Sequence, residues 1–152
     1  MVWALGRGAT QWMSATQDAS AFGDATAGMQ TASRLLPLDP LVAAQTSDAY
    51  LVGGLIEGSR PALQSALAAA EHASALDPQN GYRWETRGVA LGALGETQSA
   101  ISALTRAVQY SPGDSQAWEN LARMYDRTGQ AGEAAAARAK AAALGGAQTQ
   151  GQ

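Results

Sequence analysis

Residues 84–95 read WETRGVALGALG and residues 118–129 read WENLARMYDRTG. The offset is 34 residues. Across it an aromatic falls on an aromatic (Trp84, Trp118), a small residue on a small residue (Gly88, Ala122) and a glycine on a glycine (Gly95, Gly129). Working outward, the same offset brings Tyr50 and Gly54 into the first two columns. Downstream it lines up Ala66, Ala100 and Ala134, then Ala73, Ala107 and Ala141, then Leu76, Tyr110 and Leu144. A fixed period of this length marks a stacked repeat. Small residues at two fixed points let two helices approach closely, while a ring at a third fills the gap between hairpins. Gly95 and Gly129 fall where the first helix of each unit must stop, because glycine takes the left-handed conformation at little cost. Pro78 and Pro112 close two units, each followed by polar turn residues.

The set Trp118, Leu121, Ala122, Tyr125, Gly129 and Ala134 resembles the tetratricopeptide pattern W-x2-L-G-x2-Y followed by alanine, with Ala122 in place of the glycine. Trp84, Gly88, Gly95, Ala100, Ala107 and Pro112 match it again. The resemblance implies an all-α, right-handed solenoid of stacked antiparallel helical hairpins, with units at 47–80, 81–114 and 115–148 and a flexible tail at 149–152. Three positions depart from the pattern: Arg87 stands where the family has leucine, Glu57 where it has tyrosine, and Gly146 where proline closes the unit. Arg87 is expected to lay its aliphatic stem along a neighbouring helix with its charge in water.

Residues 1–46 are expected to form a degenerate N-terminal hairpin. Leu38-Asp39-Pro40 echoes Leu76-Asp77-Pro78, which puts Trp12 at the aromatic column, Gly23 at the turn and Ala32 within the second helix. Pro40 to Pro78 spans 38 residues, four more than the period, so the helix after Pro40 should be about one turn longer than its counterparts. Terminal repeats are atypical because one face has no neighbour.

Composition narrows the chemistry. Ten basic and thirteen acidic residues give a net charge of −3, and no stripe of Lys or Arg could track a phosphate backbone, so nucleic acid is disfavoured as a partner. The chain has no cysteine, which excludes disulfides, thiolate metal sites and cysteine nucleophiles. His72 is the only histidine, and its neighbour Glu71 points about 100 degrees away on a helix, so the two cannot share a metal ligand. Gly6 and Gly8 make a G-x-G only, Gly53-Gly54 belongs to a helix column, and Gly145-Gly146 begins a polar tail. No phosphate loop, triad or metal motif is present, and the expectation is a protein with no catalytic residues, no cofactor and no metal.

A protein or peptide is the expected partner. In tetratricopeptide arrays the first helices line a concave groove, and the resemblance carries that role onto Asp48, Leu51, Val52 and Leu55, then Tyr82, Glu85, Thr86 and Val89, then Gln116, Glu119, Asn120, Arg123, Asp126 and Arg127. Family members that clamp a C-terminal carboxylate use lysine and asparagine at places held here by Glu85, Val89, Glu119 and Arg123. Only Asn120 is compatible, so that clamp is expected to be absent. The alternative is self-association into a homo-oligomer or filament. The last helix, expected over Ala131 to Leu144, is rich in alanine and permits close approach. Ala134, Ala137 and Ala141 would receive Trp3, Leu5, Trp12 and Met13 of a second copy, head to tail.

The N-terminal run Val2 to Leu5 is far below the ~20 apolar residues of a membrane span. The order of a short apolar start, a hairpin broken at Gly23-Asp24, and Leu36-Pro37-Leu38-Asp39-Pro40 before the repeats also resembles the soluble tail of O-antigen ligase-like polysaccharide proteins. That resemblance implies a larger membrane protein, with Val2 to Leu5 the stump of a span.

Overall fold

The structure, a computed structural model, describes residues 19–149, with side chains described over 27–145. Trp3, Leu5, Trp12 and Met13 lie outside the described residues, as does Val2. Seven helices follow one another, with no strand among the described residues: α1 (Ala19–Leu35), α2 (Pro40–Glu57), α3 (Arg60–Leu76), α4 (Gly81–Leu94), α5 (Thr97–Tyr110), α6 (Ser115–Arg127) and α7 (Ala131–Thr149). Each helix packs on the next, making hairpins α2/α3, α4/α5 and α6/α7, with α1 laid against α2. Beyond these sequential neighbours, only α2 with α4 and α4 with α6 come close. The first helices of the hairpins therefore form a continuous inner layer, while the second helices splay apart.

Local chemistry sets the helix ends. Asp39 accepts from the backbone N–H of Leu41 (2.8 Å) and Val42, and Asp114 from that of Gln116 (2.9 Å) and Ala117. Ser59 and Asn80 do the same for α3 and α4. Three glycines turn the hairpins with positive φ: Gly58 (65°), Gly95 (91°) and Gly129 (74°). Gly58 is a turn the 34-residue frame does not reveal, because the first hairpin turns three residues earlier than the frame requires.

α2 has 18 residues against 14 in α4 and 13 in α6, the extra turn that the Pro40–Pro78 spacing predicts. Other boundaries need correction. The border between residues 46 and 47 falls inside α2, which begins at Pro40. Gly23 does not make a turn, since α1 runs through it from Ala19 to Leu35. Nor does Gly145-Gly146 end the last helix, which continues to Thr149. A glycine inside a helix costs only about 1 kcal/mol, too little to stop it unaided.

The core is graded. Trp84, Leu91, Ile101, Leu104, Val108, Leu121 and Met124 form the largest buried cluster, joined by the half-buried Trp118 and Tyr125. Toward the N-terminus the clusters shrink to Leu51, Leu63 and Val89, and then to Ala43, Ala44 and Ala73. The aromatic and proline columns are one device. The Trp84 indole N–H donates to the Pro78 carbonyl (2.8 Å) and that of Trp118 to the Pro112 carbonyl (3.0 Å), six residues back in both units.

Gly88 lies where a Cβ would sit 2.6 Å from Leu104 Cγ, whose side chain is wholly buried. Gly88→Ala should therefore lower stability by about 1–3 kcal/mol through overpacking, read as a lower urea midpoint with an unchanged slope.

Candidate functional site

The inner layer carries polar side chains that join successive repeats. Tyr82 donates its hydroxyl to Asp48 Oδ2 (2.7 Å), tying α4 to α2. Thr86 Oγ1 lies 3.4 Å from Asp48 Oδ1 and 3.2 Å from the Tyr82 carbonyl. One repeat further, Asn120 Nδ2 donates to Glu85 Oε1 (2.9 Å), and Arg127 Nη1 donates to the Gly92 carbonyl (2.8 Å). The partners are separated by 34 or 35 residues except for Thr86, which lies one helical turn beyond Tyr82. Sequence reading placed these residues on a groove without pairing them. The signal was polar side chains one period apart, on helices that must touch.

The predicted groove residues differ in burial. Leu51, Glu85, Val89 and Asn120 are buried between inner helices, together with Asp48, Val52 and Thr86. Leu55, Tyr82, Glu119 and Arg123 are half-buried, and Arg127 is exposed. Three atoms on α6 stand out: Gln116 Nε2, Asn120 Oδ1 and Arg123 Nη1 are buried from solvent and have no hydrogen-bond partner among the described residues.

On the last helix the structure corrects the sequence reading. Ala134, Ala137 and Ala141 are buried, and α7 packs on α6 alone, so this stripe is the hairpin's own interface and not a surface for a second copy. The outward face carries Ala135, Ala136, Ala139, Ala142 and Ala143. Arg138 of α7 pairs with Asp126 of α6. Alanine on every side of α7 leaves no amphipathic contrast from which the inner face could be read.

His72 is exposed, and its Nε2 lies 2.5 Å from the carbonyl of Pro37, which pins the α1–α2 linker to α3. No group of three His, Asp or Glu suited to a metal occurs among the described residues, and no helix among them is long and apolar enough to cross a membrane. Arg87 departs from expectation in one respect. Its guanidinium is committed, with Nη2 3.2 Å from Glu71 Oε1 and Cζ 5.2 Å from the Trp84 ring centroid.

No protein-family model matches the sequence, and no curated protein does. Solved structures do. A structure of MamA MSR-1 C2 superposes with a TM-score of 0.70 at 21% identity, over 84% of this chain and 70% of that one. The thermophilic TPR protein TTC0263 of Thermus thermophilus also gives 0.70, at 24% identity, over 80% of this chain. The fold is that of a tetratricopeptide-repeat solenoid. This chain spans 64% of the Thermus protein's length. MamA 41-end from Desulfovibrio magneticus RS-1 matches over 95% of this chain and 99% of its own, at 19% identity and a TM-score of 0.55. The repeat pattern and the tetratricopeptide solenoid thus agree, at identities of 19 to 24%.

Burial raises the Asp48 carboxyl to about 6, against which the Tyr82 and Thr86 hydrogen bonds and the Arg83 charge work only in part. The Tyr82 hydroxyl is raised too, by burial and then by the charge of Asp48. Because the folded state holds the Asp48 proton more tightly than the unfolded state, this group contributes stability that is fully present below pH about 3.8 and lost as pH rises through about 6. The change is on the order of 2–3 kcal/mol. Asp48→Asn keeps an acceptor for Tyr82 and should flatten that part of the pH–stability curve. It should also raise the pH 8 midpoint above that of the parent in urea titrations.

Proposed function

We propose that this chain is a non-enzymatic protein-interaction scaffold whose inner face holds an extended segment of a partner protein along α6. The observation that carries this reading is a row of half-buried polar side chains, Gln116, Glu119 and Arg123, that α6 leaves open to solvent. They stand at i, i+3 and i+7, on one face of the helix. Along about 10 Å they offer an amide, a carboxylate and a guanidinium. An extended peptide rises about 3.3 Å per residue, so three residues of its backbone span that row. The buried positions, Glu85 and Asn120 among them, stiffen the face, while Leu55, Tyr82 and Arg127 flank the segment.

Panning an immobilised peptide library against the protein tests this reading. Selected peptides should bind Arg123→Ala at least tenfold more weakly and His72→Ala equally well. Equal binding to Arg123→Ala would place the contact elsewhere and end the proposal.

A second reading, association between copies, is favoured by a separate observation. Leu35 (74% exposed), Leu36 (53%), Leu38 (78%) and Leu41 (56%) form an apolar knuckle at the α1–α2 junction. Single exposed apolar residues are ordinary, but a contiguous group marks a contact surface. Light scattering should show oligomers whose population falls in a Leu38→Glu, Leu41→Glu double variant, with the helical circular dichroism unchanged. A parent protein that stays monomeric at high concentration rules this reading out.

A further inference from the structure

The outer surface holds a cavity that the inner-face reading does not use. α3 and α5 make no close backbone approach, and between them, floored by α4, lies a cleft of about 390 Å³. That is within the range of small-ligand sites. Its cause is legible in the repeat. The third unit places Leu121 and Tyr125 at two positions of α6, and Tyr125 packs against the core there. One period earlier those positions hold Arg87 and Leu91. Leucine in place of tyrosine removes a ring, and arginine in place of leucine turns a filling side chain into a polar wall.

The lining has a division of labour. Leu67, Leu91, Ala103 and the Trp84 indole make the cavity's apolar part. Polar groups complete it: Arg87, Arg106, Glu71, Glu96, Ser99 and Ser102. Both guanidinium groups lie over Trp84, with Arg106 Cζ 4.6 Å from the ring centroid. Arg87 is already paired with Glu71, whereas Arg106 makes no ion pair among the described residues. Arg106 is thus a cation held in place by the indole, with its hydrogen-bonding fork uncommitted.

We propose that this cleft is a binding site for a small free carboxylate carried on an apolar or aromatic body. A carboxylate suits the Arg106 fork, which can hold it by two parallel hydrogen bonds. A single negative charge is required, because Glu71 and Glu96 repel a dianion such as phosphate. The apolar body covers Leu67, Leu91 and Ala103. The site is distinct from the inner face, so its fate and that of the peptide reading are independent.

The test follows the Trp84 indole N–H resonance of the 15N-labelled protein, identified by its loss in Trp84→Phe, during titration with phenylacetate, phenylacetamide and inorganic phosphate. Phenylacetate should give a saturable shift below about 10 mM, with phenylacetamide and phosphate at least tenfold weaker. Arg106→Ala, at an exposed position, should weaken phenylacetate at least tenfold. Leu91→Tyr should abolish its binding by restoring the ring that the third unit carries, and should raise the melting temperature. The proposal fails if phenylacetate gives no saturable shift, if the amide or phosphate binds as well, or if Arg106→Ala binds unchanged.

Discussion

The spacing between the two helices of each hairpin is the constraint on which the rest of this structure hangs, and it is set by residues with almost no side chain. At Gly54 an added Cβ would meet Leu63 at 2.8 Å, and at Gly88 it would meet Leu104 at 2.6 Å, whereas Ala122 is accommodated fully buried in the third unit. Ala66, Ala100 and Ala134, all completely buried, answer from the second helices. Between units, the tryptophan of one donates its indole N–H to the proline carbonyl that closed the previous one. It thereby fixes how one hairpin meets the next.

Close approach has a cost in driving force. Alanine brings little apolar area, about 0.8 kcal/mol for each buried methyl-sized group. Much of the N-terminal core is alanine. Register between repeats is therefore left to polar pairs in the inner layer: Asp48 with Tyr82, Glu85 with Asn120, and Arg127 with the Gly92 carbonyl. Such pairs add little net stability, since each exchanges water for protein, but a mismatched register would strand a buried charge or amide. Asp48 shows the tension directly. The carboxylate that positions Tyr82 and Thr86 is held by groups that only partly offset its burial.

What the sequence disclosed follows the same logic. Columns that the backbone demands were legible, because few residues satisfy a close contact, a left-handed turn or a ring-sized gap: Gly88, Gly95, Ala100, Trp84 and their periodic equivalents. The extra turn of α2 was legible as surplus spacing. Positions where the backbone tolerates many residues were not. Gly23 and Gly145 read as breaks, yet helices run through them. Gly58 escaped the period because the first hairpin turns early. Composition does not tell the inner face of α7 from its outer face, and so it puts Ala134, Ala137 and Ala141 on a surface they do not form. The polar ladder read as a solvated groove, because a single helix does not reveal that its polar face meets another helix one period away.

Repetition also explains where specific features can arise. The second and third units share a backbone frame, so a difference between them at equivalent positions is a difference in what the side chains do, with the scaffold held constant. At the tryptophan the two units make the same indole bond to the same proline carbonyl. Three and seven residues further on, one has Leu121 and Tyr125, which fill the space beside the ring, and the other has Arg87 and Leu91, which leave it open and charged. Filling would have been the more stable solution, because a cavity forfeits dispersion contacts and a half-buried guanidinium forfeits part of its hydration. The second unit keeps the open version while retaining every residue that the hairpin geometry requires. Of its departures from the third unit, this pair falls where the splay of α3 and α5 gives a ligand room to enter.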